Sequence, residues 1–309
     1  MKIATLGPEG TFSHEAVLKF IEYPTQDDLL FCNTIYDIFE AVKKCWATHG
    51  IVPMENSVSG TIWFTVDALS EFDLNIIEEI LIPINHNLAG NCLKAKEVTK
   101  LYCHQQAYTQ CERFIRENMK KAKVVYTASN GESAMLLLKD LTNENNDKNN
   151  NKKSNDYNSD KKNKSDNKIN NDSKNNENSC VAAIVPRLAL NKYKLKLIMK
   201  NIQDNKYNTT KFVVISKKDT KSTGKDRTTL SIYPSVDKPG LLYSLLGEFA
   251  KRSINLSKIE SIPSKGKFGD YFFLVEIFGH KEDDIIREAI AAVEKSFTVK
   301  VHGSCKREY

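Results

Sequence analysis

Short apolar runs alternate with amphipathic segments along residues 1–217, and this pattern predicts strands that alternate with helices. An apolar stripe at helical spacing (Ile35, Ile38, Phe39 and Val42) follows Asn33, the expected N-cap. The other predicted helices are residues 13–21, 60–72, 106–117, 133–141 and 187–193. The predicted strands are residues 2–6, 50–53, 100–103, 123–126, 180–185, 195–199 and 211–215. The alternation indicates an α/β sandwich with a mostly parallel sheet.

A polar tract of low complexity interrupts this pattern at residues 142–179. It consists mainly of Asn, Lys, Asp and Ser with almost no apolar side chains, so it cannot bury enough surface to offset the entropy of ordering. It falls between a predicted helix and a predicted strand. We interpret it as a disordered expansion of a surface loop; binding of nucleic acid or of a partner is the alternative.

A second domain is predicted beyond a polar linker at residues 218–227. Its elements follow the order strand, helix, strand, strand, helix, strand, at residues 228–233, 240–251, 256–262, 271–278, 283–295 and 298–301. This βαββαβ order indicates a ferredoxin-like domain at residues 228–309, after a larger domain at residues 1–217.

Composition and charge exclude several kinds of protein. The 309 residues contain no apolar run of about 18, so no membrane span is predicted. Residues 1–7 are typical of a first strand and not of a signal peptide, so a cytoplasmic protein is expected. The seven cysteines form no C-x-x-C pair and the six histidines show no metal-binding spacing, so we expect reduced thiols and no metal. The net charge of +6 suits a small anionic substrate, whereas nothing favours nucleic acid.

Two turns between a predicted strand and a predicted helix are rich in hydrogen-bonding groups. The first is GPEGTFSH at residues 7–14, and the second is PMENSVSGT at residues 53–61. Ligands of open α/β sheets bind beyond the carboxyl ends of strands, at helix N-termini that attract anions. The alternative is that these polar residues only cap helices and close turns.

Three further polar segments follow. CHQQAYTQC at residues 103–111 and TASNGESA at residues 127–134 each lie at a predicted helix start, and YNTTKF at residues 207–212 runs into an apolar strand. Ser129 and Glu132 form a capping box, which is an alternative to a binding role for Ser129. Cys103 and His104 are not expected to form a nucleophilic pair, because adjacent strand residues point to opposite faces.

In this order the segments resemble the prephenate dehydratase family, over nearly the whole chain apart from the polar tract. Residues 53–69 match P-x-E-N-S-x-x-G followed by T-x-D-x-L at every fixed position. Residues 103–111 match S-H-P-Q-A-x-x-Q-C, with Cys103 for Ser and Gln105 for Pro. Residues 127–134 match T-x-S-T-x-x-x-A with Asn130 for Thr, and residues 208–212 match N-x-T-R-F with Lys211 for Arg.

The resemblance implies a two-lobed catalytic domain of the periplasmic-binding-protein type that converts prephenate into phenylpyruvate without a metal or organic cofactor. Thr210 is implied as the catalytic residue, whose hydroxyl donates a hydrogen bond to the departing C4 hydroxyl of prephenate. Lys211 is implied to hold a substrate carboxylate as a point charge, without the two-point fork of Arg. The residues implied to bind prephenate are Thr11, Glu55, Asn56, Ser57, Gln106, Gln110, Ser129, Asn208, Lys211 and Phe212.

The C-terminal domain resembles an ACT regulatory domain. KPGLL at residues 238–242 and ESIP at residues 260–263 carry the resemblance, with Ile262 at the Arg position of the family's E-S-R-P motif. It implies that phenylalanine is a feedback ligand. The residues implied to bind it are Gly240, Leu241, Leu242, Glu260 and Ser261. ACT domains commonly pair between subunits, so a homo-oligomer, either a dimer or a tetramer, is expected.

Two other functions remain open. Arogenate dehydratase runs the same elimination on the aminated substrate, and no residue of the sequence separates the two activities. A non-catalytic amino-acid sensor or solute-binding protein can use the same two-lobed fold, although it does not need the Thr210 segment. Chorismate mutase activity is not expected, because no helical domain precedes the first predicted strand.

We expect that residues 142–179 can be replaced by a short Gly/Ser linker without loss of dehydratase activity. The tract is polar throughout, and closing a shorter loop costs less entropy. Turnover of prephenate and the thermal unfolding midpoint of the deletion protein provide the measurement. A deletion protein that unfolds or no longer forms phenylpyruvate would show that the tract is more than a loop expansion.

Overall fold

The structure, a computed structural model, describes residues 1–155, 180–236, 238–264 and 270–308. The chain forms two compact units. The first contains Met1–Gly7, Ser13–Pro83 and Asn208–Tyr309, and the second contains Pro8–Phe12 and Ile84–Tyr207. The C-terminal domain therefore belongs to the same unit as the start of the chain.

The elements alternate between strand and helix along most of the described chain. In order they are β1 (Ile3–Leu6), α1 (Phe12–Phe20), β2 (Leu29–Cys32), α2 (Ile35–Lys43), β3 (His49–Asn56), β4 (Gly60–Thr61), α3 (Trp63–Glu71), β5 (Asn75–Pro83), β6 (Asn87–Gly90), β7 (Lys100–His104), α4 (Gln105–Gln110), α5 (Glu112–Asn118), β8 (Lys123–Thr127), α6 (Asn130–Asn155), β9 (Val181–Val185), α7 (Arg187–Lys192), β10 (Leu197–Met199), β11 (Thr209–Ser216), β12 (Asp226–Pro234), α8 (Leu241–Ala250), β13 (Leu256–Pro263), β14 (Tyr271–Phe278), α9 (Asp284–Val293) and β15 (Phe297–Lys306).

Each unit has its own mixed sheet. In the first unit the order is β2-β1-β3-β11-β5, with β4 paired to β3. β1 runs parallel to β2 and β3, whereas β11 runs antiparallel to both neighbours. In the second unit the order is β10-β6-β9-β7-β8, with β7 parallel to β8 and β9 and with β6 antiparallel to its neighbours. The α/β class is confirmed, but the expectation of mostly parallel sheets is corrected. Strands β5, β6, β10 and β11 run antiparallel to the strands they pair with, and the apolar pattern of the sequence does not record strand direction.

The C-terminal domain has the predicted βαββαβ order. Its antiparallel sheet, in the order β13-β14-β12-β15, carries α8 and α9 on an apolar layer that includes Leu245, Phe249 and Ile286. Its first strand begins at Asp226, two residues before the predicted boundary.

The opposite face of this sheet packs on the N-terminal part of the first unit. Ile262, Phe272 and Leu274 belong to the same core as α2 and α3. A Cβ at Gly303 would lie 2.5 Å from the carbonyl oxygen of Ile76, so only glycine allows β15 to approach β5 this closely. The C-terminal domain and the N-terminal sheet therefore share one core.

Several predicted boundaries change for identifiable reasons. Thr34, not Asn33, caps α2, because its hydroxyl accepts from the backbone N–H of Asp37 and the Asp37 carboxylate accepts from the N–H of Thr34. Residues 60–61 form a short strand against β3, so the helix predicted at 60–72 begins at Trp63. The helix predicted at 106–117 is divided at Cys111 into α4 and α5. Strands β2, β4, β5 and β6 were not predicted.

The helix that precedes the polar tract also ends later than predicted. Helix α6 continues to Asn155, beyond the predicted end at residue 141, because no Gly or Pro stops it. Residues 142–155 of the tract are therefore helical, and residues 156–179 lie outside the described residues.

The expectation that all cysteines are reduced is also corrected, since Cys92 and Cys180 are disulfide-bonded with Cα atoms 5.4 Å apart. The β6–β9 ladder brings the two residues together.

Helices of the described residues are all too short or too polar to cross a membrane.

Candidate active site

The first polar cluster lies where β3 pairs with β11. In this antiparallel ladder Thr210 is directly opposite Asn56, so the two side chains lie on the same face of the sheet. Asn56 Nδ2 donates to Thr210 Oγ1 over 2.9 Å and to Asn208 Oδ1 over 2.7 Å. All three side chains are buried. The structure thus brings together three of the residues that the sequence predicted for the site.

The orientation of the Asn56 amide is fixed by the turn that follows β3. Its Oδ1 accepts from the backbone N–H groups of Val58 and Ser59, over 3.0 and 2.9 Å. Two backbone donors can be satisfied only by the oxygen of the amide, so the nitrogen must face Thr210 and Asn208. The turn therefore determines which end of Asn56 reaches the cluster.

This orientation leaves two hydrogen-bond donors in the cluster. Because Thr210 Oγ1 accepts from Asn56, its own hydroxyl proton is available to donate elsewhere. Asn208 Oδ1 is occupied by Asn56, and Asn208 Nδ2 is buried with no hydrogen-bond partner among the described residues. Buried polar atoms in folded proteins are nearly always paired, so this amide is available to a bound water or ligand. The cluster can donate two hydrogen bonds to an oxygen-rich ligand.

Ser57 ties the same turn to β11. Its N–H donates to the carbonyl oxygen of Thr209 over 2.9 Å, and its hydroxyl accepts from the N–H of Thr209 over 3.0 Å. Ser57 is exposed and lies beside the cluster, and its predicted contact with substrate stays a prediction.

The opposite face of the same two strands carries charged groups. Lys211 Nζ lies 2.7 and 2.9 Å from the two carboxylate oxygens of Glu276 on β14, and 3.3 Å from Glu55. Arg227 on β12 pairs with Glu79 on β5 over 3.0 Å and lies 3.7 Å from Glu276. Burial lowers the pKa of Lys211, but the surrounding carboxylates outweigh this effect and raise it above its ordinary value. The ammonium group is therefore firmly charged.

The position of Lys211 does not support its predicted role as a substrate cation. Its side chain is only 5% exposed, points away from the face that bears Thr210, and is already neutralised by two carboxylates. Adjacent residues of a strand alternate between faces, which separates Lys211 from Thr210. The next residue, Phe212, follows a bulge in the ladder and is buried.

In the second unit two of the predicted segments are in direct contact. A Cβ at Gly131, at the start of α6, would lie 2.7 Å from Pro8 and 2.9 Å from the carbonyl oxygen of Glu9. The turn at residues 8–12 therefore packs closely on this helix start. Thr11 donates to the carbonyl oxygen of Pro8 over 3.1 Å, so its hydroxyl closes the turn. Ser129 accepts from the N–H of Glu132 over 3.0 Å, so its capping role is confirmed.

Gln110 has a buried partner that the sequence did not predict. His86 Nε2 lies 2.8 Å from Gln110 Oε1, and Phe12 meets the His86 ring edge-on at 5.5 Å. Burial lowers the pKa of His86 to about 4, so the ring is neutral at physiological pH, and the tautomer with its proton on Nε2 donates to the Gln110 oxygen. This bond directs the amide nitrogen of Gln110 away from His86. The three polar residues Asn85, His86 and Asn87, directly after residues 80–84, were the available signal. Gln106 is exposed, one residue into α4.

Other reactive groups of the described residues have structural explanations. Burial raises the pKa of Cys103 to about 12, so this thiol is not an activated nucleophile. Within the described ranges, no group of three or more His, Cys, Asp or Glu residues is arranged to hold a metal ion.

The residues predicted to bind phenylalanine lie at two places in the C-terminal domain. Gly240 is the N-cap of α8 with a φ of +83°, and a Cβ there would meet nothing within 4 Å. Leu241 is buried and Leu242 is exposed. On β13, Glu260 accepts from Thr61 over 2.5 Å, whereas Ser261 is exposed on the other face of the strand. Ile262, at the family's Arg position, is buried in the core shared with α2 and α3.

Comparisons with known proteins agree with the geometry. A family model described as prephenate dehydratase matches residues 3–220, and an ACT domain model matches residues 234–295. The chain is 33% identical over 305 residues to the bifunctional chorismate mutase/prephenate dehydratase of Aquifex aeolicus. This alignment covers 98% of this chain and 73% of that protein. It is also 31% identical over 295 residues to the prephenate dehydratase of Methanocaldococcus jannaschii, and that alignment covers 94% of this chain and 92% of that protein.

A solved structure extends this similarity to three dimensions. The prephenate dehydratase of Arthrobacter aurescens in complex with L-Phe has a TM-score of 0.78 at 28% identity, over 99% of this chain and 90% of that chain. The match to the family model alone spans more than half of the sequence. The chain therefore belongs to the prephenate dehydratase family, with an ACT domain at its C-terminus.

Proposed function

We propose that the protein removes water and carbon dioxide from prephenate to give phenylpyruvate. The observation that carries this proposal is the Asn56–Thr210 hydrogen bond, whose direction leaves the Thr210 proton free to donate. Phenylpyruvate is one amino transfer away from phenylalanine, so a role in phenylalanine biosynthesis is part of the proposal. A cytoplasmic location stays a prediction of the sequence.

The reaction is a 1,4-elimination driven by formation of an aromatic ring. The bond between the ring and its carboxylate breaks, its electron pair enters the ring, and the C4–O bond breaks as the hydroxide takes up a proton. Hydroxide is a poor leaving group, so a donor beside the C4 oxygen lowers the barrier. Thr210 supplies that donor, and the second donor, Asn208 Nδ2, can bind the same oxygen or a substrate carboxylate.

Burial of the cluster strengthens these hydrogen bonds. Thr210 is 7% exposed, and Asn56 and Asn208 are each 3% exposed. Hydrogen bonds to developing charge are worth more where water is excluded, and a donor that is already oriented does not reorganise during the reaction. A threonine hydroxyl is a weak acid, so Thr210 polarises the leaving oxygen rather than fully protonating it.

Phenylalanine binding by the C-terminal domain is the regulatory part of the proposal. The related Arthrobacter aurescens structure contains L-Phe. In this chain, the backbone at Gly240 opens onto space at the N-terminus of α8, where N–H groups and the helix dipole favour a carboxylate. Pairing of this domain between subunits, in a dimer or tetramer, completes the proposal.

Thr210→Ala is expected to lower kcat for prephenate by about 100-fold or more, the range seen when a positioned proton donor is removed. Thr210→Ser keeps the hydroxyl and should retain most of the activity. The measurement is phenylpyruvate formation by the purified full chain, with arogenate assayed in parallel to test the aminated substrate. A folded Thr210→Ala enzyme with near-normal turnover would contradict the proposed role.

Lys211→Met is expected to lower the thermal unfolding midpoint strongly while leaving the KM for prephenate close to that of the wild type. The substitution leaves Glu276 buried without its main partner, and breaking a buried ion pair costs about 3–5 kcal/mol. Lys211→Arg keeps the charge and is the control. A stable Lys211→Met protein with a strongly raised KM would instead restore the sequence-based interpretation that Lys211 binds a substrate carboxylate.

Gly240→Ala is expected to weaken phenylalanine binding, because the new methyl group occupies the open space beside the backbone. Gly224→Ala serves as the matched control, because Gly224 also has a positive φ, of +79°, and a Cβ there also meets nothing within 4 Å. Calorimetry with phenylalanine on the full chain is the measurement, together with its effect on prephenate turnover. Equal binding by both variants would remove Gly240 from the effector site, and no heat with the wild type at millimolar ligand would give the domain a structural role only.

A further inference from the structure

Lys258, on the edge strand β13 of the C-terminal domain, makes a charged bridge to the strand that carries Asn56. Its Nζ lies 2.6 Å from Glu55 Oε1, 2.7 Å from Thr61 Oγ1 and 3.3 Å from Glu260 Oε2. The side chain is 12% exposed. The ammonium group thus donates hydrogen bonds to Glu55 and Thr61 and forms an ion pair with Glu260. Lys258 was not among the predicted site residues.

The two partners in the N-terminal part lie on opposite strands of one small hairpin. Glu55 on β3 is directly paired with Thr61 on β4, and Asn56 is paired with Gly60. The turn between them contains Val58 and Ser59, whose N–H groups fix the Asn56 amide. Lys258 therefore fastens both strands of the hairpin whose turn orients the partner of Thr210.

Besides Lys258, the hairpin is held by the β3–β11 ladder and by the two hydrogen bonds between Ser57 and Thr209. Strand β4 is only two residues long and pairs with β3 alone, and residues 57–60 of the turn are exposed. A short two-stranded hairpin has little stability of its own. The N–H of Ile62 still donates to the carbonyl oxygen of Met54 over 2.9 Å, so the chain stays attached to β3 when the turn loosens. Loss of the Lys258 bridge should thus relax the turn without unfolding the sheet.

The charge state of Glu55 fits this bridging role. Burial raises the pKa of Glu55, but the hydrogen bond from Lys258 and the charge of Lys211 more than offset this, and the pKa lies below its ordinary value. The carboxylate is therefore ionised and holds two ammonium groups, one from each side. If Lys258 is removed, Lys211 still lies 3.3 Å from Glu55, so the carboxylate is not left without a cation.

We propose that Lys258 is a positioning residue for dehydration: through Glu55 and Thr61 it holds the 57–60 turn, and thereby the Asn56 amide, in the orientation that leaves the Thr210 proton free to donate. The turnover of the N-terminal cluster then depends on a residue supplied by the C-terminal domain. Because Glu260 contacts both Lys258 and Thr61, strand β13 carries this dependence directly into the segment predicted to bind the effector. The inference rests on the proposed function for its kinetic consequences only.

The test compares Lys258→Met, Lys258→Arg and Lys300→Met in the full chain. Lys300 is the matched control, because it also crosses from the C-terminal domain to the N-terminal part, donating to the carbonyl oxygens of Ser70 and Phe72, but does not touch the hairpin. Lys258→Met should lower kcat by about tenfold or more while KM changes by less than about threefold, since the lost orientation matters in the transition state. Lys258→Arg should restore most of the activity, and Lys300→Met should retain wild-type kcat.

A second readout is independent of the reaction. Amide hydrogen exchange at Val58 and Ser59 should become about tenfold faster in Lys258→Met and stay unchanged in Lys300→Met, because only the first variant releases the turn. Wild-type kcat in Lys258→Met, a loss of kcat no larger than that in Lys300→Met, or unchanged exchange at both amides would each overturn the proposal. A wild-type chain that forms no phenylpyruvate would contradict the proposed function, and the exchange rates would still decide the role of Lys258.

Discussion

A single carboxamide, that of Asn56, connects the fold of the first unit to its chemistry. Its oxygen is held by two backbone N–H groups of the turn, and its nitrogen donates to Thr210 and Asn208. Each of these bonds has only one possible direction, because an amide oxygen cannot donate and an amide nitrogen cannot accept. The geometry of the turn thus leaves the Thr210 hydroxyl proton available to a group that binds beside it.

The two faces of the β3–β11 pair have different tasks as a consequence of strand alternation. One face presents neutral hydrogen-bonding groups, and the other holds the ionic cluster of Glu55, Lys211 and Glu276 against the C-terminal domain. Burying such charges has a desolvation cost that only close, multiple pairing offsets, so the cluster is poor evidence for added stability. It joins β12 and β14 of the C-terminal sheet to β3, β5 and β11.

The sequence was sufficient to predict most helices and the ferredoxin-like order, which apolar periodicity encodes, and its resemblance to the family implied the residues of the polar cluster. It did not predict the mixed sheets or the Asn56–Thr210 pairing, because partners 154 positions apart are joined by strand direction and register. The position of Lys211 could have been predicted from the sequence, because the alternation that separates Cys103 from His104 also separates Thr210 from Lys211. Lys258 had no such signal, because its role depends on how one domain packs on another part of the same unit.

Asn56→Asp tests the direction of the central hydrogen bond most directly, because the substituted side chain has nearly the same shape. One carboxylate oxygen can still accept from Val58 and Ser59, but the other must accept from Thr210, which turns the hydroxyl proton inward. We expect a folded protein whose kcat for prephenate falls by about 100-fold, while the pH dependence of what remains follows protonation of the new carboxyl group. Wild-type turnover by Asn56→Asp at neutral pH would contradict the claim that Thr210 acts as an oriented donor.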